Sequence, residues 1–325
     1  MNKTVILVAF GLVIVTGALL LPVGGEARSV TDAKAEGMDL SAYPATKPAQ
    51  PLRLVFLHHS VGGQLLAEPG ANDEPAPSVH TTHPNGGGLR KTLQAEGYEV
   101  NEASYGSGVG ENTDMFDWLP KFTTDMAKIQ SVALNDRVYT GDEKNRVVMF
   151  KSCYPNSRFT GMGEAPGRPE GPELTVWNAK ATLSALLDEF KKYPDTLFVY
   201  LTAPPNAPVY GSEPLAKVLL RKILGKPTTS ENMASQAALA RTFNNWVKSP
   251  EGWLKDYPLK NVAAFDYYDE LTDHGTSDFS RYPTGEGDDS HPSRHGQQKA
   301  AAAFVPFLNR AVHRAGLVPT ETGTQ

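Results

Sequence analysis

The sequence predicts an α/β protein with a parallel sheet that is covered by helices on both faces. Two observations support this fold class. Apolar runs of strand length recur along the chain without polar alternation, which is typical of strands buried on both faces. Between these runs lie longer stretches whose apolar residues recur at helical spacing. Alternation of strands and helices implies parallel pairing with right-handed crossovers, and ligands then bind at the carboxyl ends of the strands.

The individual elements follow from these two patterns, and we expect about five parallel strands. The predicted strands are Leu52–Leu57, Gly97–Ala103, Arg146–Lys151, Thr196–Ala203 and Asn261–Tyr267. The predicted helices are Trp177–Tyr193, Met233–Val247 and His295–Leu317. Three long loops, Leu66–Gly88, Cys153–Val176 and Pro204–Asn232, begin on the carboxyl side of the sheet, where long loops are often functional.

The first 29 residues form a separate segment with the features of an export signal. Lys3 precedes an uncharged apolar run, Val5–Val23, and small residues flank Glu26 before Arg28. This arrangement predicts a secretory signal cleaved near Ala27. The run is also close to the length of about 20 residues that spans a bilayer, so an uncleaved N-terminal anchor remains the alternative. The expected location is secreted or periplasmic, or membrane-anchored with the domain outside the cytoplasm.

The rest of the chain is predicted to hold one folded domain. Residues 30–50 are polar and rich in Pro and Ala, and we interpret them as a linker. The domain is expected over residues 51–317, followed by a disordered tail, 318–325. A net charge of -5, without a Lys/Arg cluster that would follow a phosphate backbone, argues against nucleic acid as a partner. The single cysteine, Cys153, excludes an internal disulfide.

A candidate nucleophile follows the first predicted strand. Leu52–Leu57 runs into His58-His59-Ser60, and the next residues can begin a helix. A serine at such a turn can be raised above the edge of the sheet, and its own amide can face a developing oxyanion. Serine is also a preferred residue at the N-cap of a helix, so a purely structural Ser60 is the alternative.

A candidate base follows the last predicted strand. Asp288 and His291 lie three residues apart in a tight loop just before the C-terminal helix. A carboxylate in the same loop can fix the tautomer of an imidazole and stabilise its charged form. Asp, Ser, Pro and Gly all favour turns, so an ordinary surface turn is the alternative for this loop.

Taken together, these two blocks resemble the SGNH/GDSL hydrolase superfamily. In that superfamily the nucleophilic serine follows the first strand, and an Asp-x-x-His-Pro block precedes the last helix. The resemblance covers roughly Leu52 to Leu317 in block order. It implies a flavodoxin-like, three-layer α/β/α sandwich and ester hydrolysis through an acyl-enzyme, with Ser60 as nucleophile, His291 as base and Asp288 as its orienting partner.

The chain departs from the superfamily pattern in its other blocks. His59 stands where an acidic neighbour of the nucleophile is usual. The resemblance implies an oxyanion hole formed by the amides of Ser60 and a glycine and by an Asn side chain. We assign the glycine to Gly110 rather than Gly108, although a flexible glycine turn would explain either residue. Asn156 is the candidate amide, although it lies further beyond its strand than the pattern places it and is also an ordinary turn residue.

The predicted function is therefore an exported serine esterase without a cofactor. The expected partner is a small-molecule or carbohydrate ester, such as an O-acetylated carbohydrate, and a membrane only through the N-terminal segment. One alternative is a zinc site built from His58, His59, His291 and His295 with Asp289, but Pro292 interrupts a helical face there. The other alternative is a non-catalytic carbohydrate-binding or envelope protein that keeps the fold without the chemistry.

Overall fold

The computed structural model describes residues 39–139, 141–209 and 213–317. The predicted export signal and the predicted C-terminal tail therefore lie outside the described residues, as do residues 30–38 of the predicted linker. Within the described residues, no helix combines the length and the hydropathy that crossing a bilayer requires.

Five parallel strands form the central sheet, as predicted. These strands are β1 (Leu52–His58), β4 (Tyr98–Ser104), β7 (Val147–Phe150), β8 (Leu197–Leu201) and β9 (Val262–Phe265). Their order across the sheet is β4-β1-β7-β8-β9. Counting only these five strands along the chain, that order is 2-1-3-4-5, which is the flavodoxin-like arrangement that was expected. All five pair in parallel.

Eight helices and six short strands complete the described part. The helices are α1 (Ser60–Leu66), α2 (Leu89–Ala95), α3 (Trp118–Gln130), α4 (Val176–Phe190), α5 (Leu215–Ile223), α6 (Thr229–Lys248), α7 (Tyr267–Leu271) and α8 (Arg294–Arg314). The short strands are β2 (Glu68–Pro69), β3 (Thr82–His83), β5 (Val132–Ala133), β6 (Arg137–Val138), β10 (Pro283–Thr284) and β11 (Asp289–Pro292). Two 3-10 turns, Met115–Asp117 and Tyr154–Ser157, follow β4 and β7.

Both faces of the sheet are covered, which explains the uninterrupted apolar runs in the sequence. In β1, Leu54 and Phe56 belong to one core, and Val55 and Leu57 belong to the other. Residues of α1, α2 and α8 fill the first core, and residues of α3, α4 and α6 fill the second. Because alternate side chains of a strand point to opposite faces, a strand between two cores must be apolar at every position.

Part of the predicted linker packs against the domain. Residues 39–50 are described, and the side chain of Leu40 is buried in the first core. Asn309 Nδ2 in α8 donates to the carbonyl of Ala45 at 2.9 Å, and Arg310 donates to the carbonyl of Tyr43. The linker prediction is therefore wrong for this stretch, because its backbone carbonyls and Leu40 are held by the last helix.

Candidate active site

Ser60 lies where β1 gives way to α1. His59 is the N-cap of α1 and has an extended backbone, and Ser60 is the first helical residue. A Cβ on Gly62 would come within 2.4 Å of the Cβ of His58, and one on Gly63 within 1.9 Å of the carbonyl oxygen of Ser78. Both positions therefore require glycine, and the glycine pair after the serine is a condition for this close strand-to-helix turn.

His291 comes from the opposite end of the chain on a short strand. It belongs to β11, which pairs with β10, and the hydroxyl of Thr284 donates to its carbonyl oxygen at 3.0 Å. The imidazole Nε2 lies 3.0 Å from Ser60 Oγ. The structure thus brings together two of the predicted site residues, Ser60 and His291, although 231 positions separate them in the chain.

Asp289, and not Asp288, is the carboxylate that contacts His291. Asp289 Oδ1 lies 2.7 Å from His291 Nδ1 and also accepts the backbone amide of His291 at 2.9 Å. The prediction for Asp288 is therefore wrong. Residues two apart on a strand point to the same side, which aligns Asp289 with His291. Asp288 precedes β11, and its Oδ1 lies 2.6 Å from where a Cβ on Gly285 would be.

The hydrogen bonds of this triplet fix the tautomer of His291. Burial alone would raise the pKa of Asp289, but the hydrogen bonds from the amide and ring of His291 and their electrostatic attraction hold that pKa below its usual value. An ionised Asp289 can only accept, so Nδ1 carries the proton. In the neutral form of the ring Nε2 is then the unprotonated nitrogen, and it can accept the hydroxyl hydrogen of Ser60.

His58 belongs to a buried set of hydrogen-bonded polar side chains that the sequence pattern does not reveal. Its Nε2 lies 2.9 Å from Glu102 Oε2, and its Nδ1 lies 2.9 Å from the carbonyl oxygen of His59. Arg90 donates to the other oxygen of Glu102. Burial raises the pKa of Glu102, but His58 and Arg90 outweigh it and leave the pKa lowered. This set of side chains ties the end of β1 to β4 directly behind the serine turn.

His59 replaces the acidic neighbour of the nucleophile and takes part in a different set of contacts. Its ring stacks on Tyr105 with centroids 4.8 Å apart, and its Nε2 lies 2.7 Å from Thr113 Oγ1. Burial lowers the pKa of His59 to about 4, and the positive charge of Lys151 acts in the same direction, against the attraction of Asp114. His59 is therefore neutral at pH 7.

The neutral, half-buried His59 should make the protein lose stability in acid. In the unfolded chain its pKa is about 6.5, so the unfolded state takes up the proton first as the pH falls. The stabilising effect of a neutral His59 is complete above about pH 6.5 and is lost as the pH falls toward 4. The measurement is the free energy of unfolding in urea at pH 7 and at pH 4.5. Between these pH values we expect it to fall by about 2–3 kcal/mol less in His59→Asn than in the parent protein.

The matched control for this prediction is His295→Asn, which alters an exposed histidine near the same site. The free energy of unfolding of His295→Asn should change between the two pH values by the same amount as that of the parent protein. If His59→Asn also loses as much stability as the parent between pH 7 and 4.5, then the protonation of His59 does not contribute to acid unfolding.

A buried lysine adds positive charge beneath this edge of the sheet. The side chain of Lys151, directly after β7, is fully buried, and its Nζ donates to the carbonyl of Ser152 at 3.0 Å. Burial lowers the pKa of Lys151 to about 8. This burial is not visible in the sequence, where Lys151 is the polar residue at the end of a predicted strand.

Gly110 does not offer a free amide to an oxyanion. Its N–H donates to the hydroxyl oxygen of Ser107 at 3.1 Å. A Cβ at this position would lie 1.9 Å from the carbonyl oxygen of Ser104, so glycine is needed here for packing against the end of β4. The prediction of Gly110 as an oxyanion donor is therefore wrong, since its hydrogen is already engaged. Gly108 is exposed in the same loop.

Asn156 is held in a fixed orientation near the nucleophile turn. It is buried in the 3-10 turn after β7, and its Oδ1 accepts the amide of Met115 at 2.8 Å. Its Nδ2 donates one hydrogen to Asp114 at 2.6 Å, and Asp114 Oδ1 also lies 4.0 Å from His59 Nε2. The role of Asn156 in an oxyanion hole stays a prediction, and in this structure its Nδ2 group donates to Asp114.

Tyr154 is the aromatic residue that lies beside the base. Its ring meets the ring of His291 edge-on, with centroids 5.3 Å apart. Trp118, by contrast, is fully buried and donates from Nε1 to Ser152 Oγ, so it belongs to the core and not to a surface that could stack on a sugar. Within the described residues, no three side chains of His, Cys, Asp or Glu are grouped so that they could hold a metal ion.

Comparison with solved structures finds distant similarity to esterases. A catalytic mutant of Axe2, an acetylxylan esterase from Geobacillus stearothermophilus, is 14% identical, with a TM-score of 0.40 over 85% of this chain and 100% of that one. LAE5, an α/β hydrolase from the metagenome of Lake Arreo, Spain, is 13% identical, with a TM-score of 0.39 over 84% of this chain and 98% of that one.

A third similar structure is a carbohydrate esterase family 2 enzyme with a carbohydrate binding domain from Corynascus thermopiles (Myceliophthora fergusii). It is 12% identical, with a TM-score of 0.37 over 82% of this chain and 68% of that one. No known family profile and no curated protein sequence matches this chain. At such low identities and TM-scores, the function must be argued from the site itself.

Proposed function

We propose that this protein is an exported serine esterase that hydrolyses an acyl ester through an acyl-enzyme. The observation that carries the proposal is the continuous hydrogen-bonded triplet of Ser60, His291 and Asp289. Its two links measure 3.0 Å and 2.7 Å, which are ordinary hydrogen-bond lengths. Nucleophile, base and orienting carboxylate recur in this relation on unrelated folds that catalyse acyl transfer.

The orientation of the three groups supports a definite order of steps. Ser60 Oγ attacks the ester carbonyl while its proton passes to His291 Nε2, and the charged ring is stabilised by Asp289. The tetrahedral intermediate collapses to an acyl-serine, and the alcohol leaves with the proton from His291. Water then attacks the acyl-serine, again with His291 as base, and releases the acid and free Ser60.

Charge on the developing oxyanion needs donors near Ser60. As the first residue of α1, Ser60 has a backbone amide without an acceptor inside the helix. We propose this amide and the Nδ2 group of Asn156 as donors, and we leave Gly110 out because its hydrogen is given to Ser107. Loss of one such donor typically lowers kcat by about 10²–10³.

The substrate class to test first is an O-acetylated carbohydrate. This choice rests on the resemblance to the SGNH/GDSL superfamily and on the proposed export, since polysaccharides are exposed outside the cytoplasm. Export itself rests on the apolar run Val5–Val23, and N-terminal sequencing of the protein from its native host should begin near Arg28.

Labelling with a fluorophosphonate probe tests the proposal against a non-catalytic protein of the same fold. Such a probe reacts with a serine that is activated by a base and leaves ordinary hydroxyls unmodified. We expect the folded protein to be labelled once, at Ser60, and the labelling to disappear in Ser60→Ala. A protein that stays unlabelled while folded would instead support the non-catalytic alternative.

A further inference from the structure

Helix α5 exposes nearly all of its apolar side chains to solvent. None of its residues is buried, and Leu215, Leu219 and Ile223 are 87%, 61% and 72% exposed. Leu220 and Leu224 are also more than half exposed. Successive positions on a helix are 100° apart, so these five side chains form one continuous face. A face of this kind on a soluble domain marks an interaction site.

The polar side of α5 is tied to the residues that flank the helix and, through Glu213, to the start of α6. Arg221 Nε lies 2.8 Å from Glu213 Oε1, and Arg221 Nη1 donates to the carbonyl of Pro227 at 3.0 Å. Glu213 Oε2 in turn accepts the amide of Thr229 at the start of α6. An ordinary surface helix buries its apolar face and exposes its polar face. In α5 this arrangement is reversed, so the apolar face is presented outward.

The segment that carries this face has a net charge opposite to that of the whole protein. Residues 213–226 contain four basic residues, Lys217, Arg221, Lys222 and Lys226, and one acidic residue, Glu213. The segment thus has a net charge of about +3 (four minus one), whereas the chain as a whole carries -5. Lys222 and Lys226 are exposed, and their side chains can extend past the apolar face toward an anionic surface.

We propose that α5 docks on an anionic lipid surface. Short amphipathic helices bind in the plane of a membrane when apolar side chains enter the boundary of the acyl chains and lysines reach the headgroups. The exposed leucines and isoleucine supply the first contact, and Lys222 and Lys226 supply the second. This extends the membrane contact expected from the sequence, which was limited to the N-terminal segment.

A second copy of the chain fits this face less well than a lipid surface does. Nine residues of helix measure about 13.5 Å, and one face of such a helix offers much less than the roughly 800 Å² per partner of a stable interface. A symmetric pairing would also bring two segments of like charge together. A lipid surface requires no matching partner surface, and its negative charge attracts the segment.

A spin label on α5 of the full chain tests the proposal independently of the N-terminal segment. Ile223→Cys places a nitroxide on the apolar face, and Val138→Cys, also more than half exposed, is the matched control on β6. Cys153 is buried, and the parent protein measures its background labelling. With vesicles that contain phosphatidylglycerol, we expect the Ile223 label to gain contact with dissolved oxygen and lose contact with a water-soluble nickel complex.

The Val138 label should not respond, and high salt or the double change Lys222→Glu and Lys226→Glu should weaken the response at Ile223. Ser60→Ala should not alter the response, so a failure here is distinguishable from a failure of the proposed esterase function. The same response with pure phosphatidylcholine vesicles, or no response with either lipid, would overturn the proposal. Immobilisation of the Ile223 label without vesicles, increasing with protein concentration, would overturn it in favour of a second copy.

Discussion

Ser60→Ala and His291→Ala should each remove nearly all hydrolysis of a simple aryl acetate. Both groups take part in one proton transfer across the 3.0 Å contact between Ser60 Oγ and His291 Nε2. The loss of either should therefore lower kcat by about 10⁴-fold or more, and the double variant should be scarcely worse than the single ones. The measurement is kcat and KM for each purified variant, with circular dichroism to show that the fold is kept.

Two changes at exposed positions serve as controls for this prediction. Ser184→Ala alters an exposed serine on α4, and His295→Ala alters an exposed histidine four residues after the base. Both should keep the activity of the parent protein. Substantial hydrolysis by purified Ser60→Ala would contradict the serine mechanism. Activity that is lost to a chelator and restored by zinc would instead support the histidine cluster considered in the sequence analysis.

Asp289→Asn should have the second largest effect, and Asp288→Asn should have little. Asn keeps the size of Asp289 but can present an N–H to His291 Nδ1, which favours the tautomer that places a proton on Nε2. His291 could then no longer accept the proton of Ser60. We expect kcat to fall by about 10²–10⁴ in Asp289→Asn and to change within a few-fold in Asp288→Asn.

This pair of variants distinguishes the roles of two adjacent aspartates, Asp288 and Asp289. Asp289 Oδ1 contacts His291 Nδ1 at 2.7 Å, whereas Asp288 lies in the turn with Gly285. Both side chains are exposed, so their replacement by Asn should leave stability nearly unchanged. A larger loss of kcat in Asp288→Asn than in Asp289→Asn would show that Asp288 orients His291, as the superfamily spacing indicated.

The strands could be predicted because the physical constraint on them is local. A strand between two apolar layers must be apolar at successive positions, and Leu54, Val55, Phe56 and Leu57 show this directly in the sequence. The strand order was implied by the superfamily resemblance and confirmed by the pairing of the sheet. Ser60 and His291 could be found because parallel strands bring the residues that follow β1 and those that follow β9 to one edge of the sheet.

The contacts that complete the site could not be predicted in the same way. The superfamily spacing favoured Asp288, but the strand conformation of β11 turns Asp289 toward His291. Gly110 matched a glycine block, yet its amide hydrogen is given to Ser107. Residues 39–50 have the composition of a linker, but Leu40 and several carbonyls are held by α8. In each case the partner lies on another element or depends on a backbone conformation.

The sequence by itself determined the α/β class, the positions of the five strands and the serine and histidine that end up in contact. Periodicity and apolar runs are properties of neighbouring residues, and each strand or helix must satisfy them wherever it is placed. Only the tertiary structure decided which aspartate orients His291, which amides remain free and which face of α5 is exposed. These outcomes depend on directions and distances between distant segments, since a hydrogen bond forms only where donor and acceptor meet at about 3 Å.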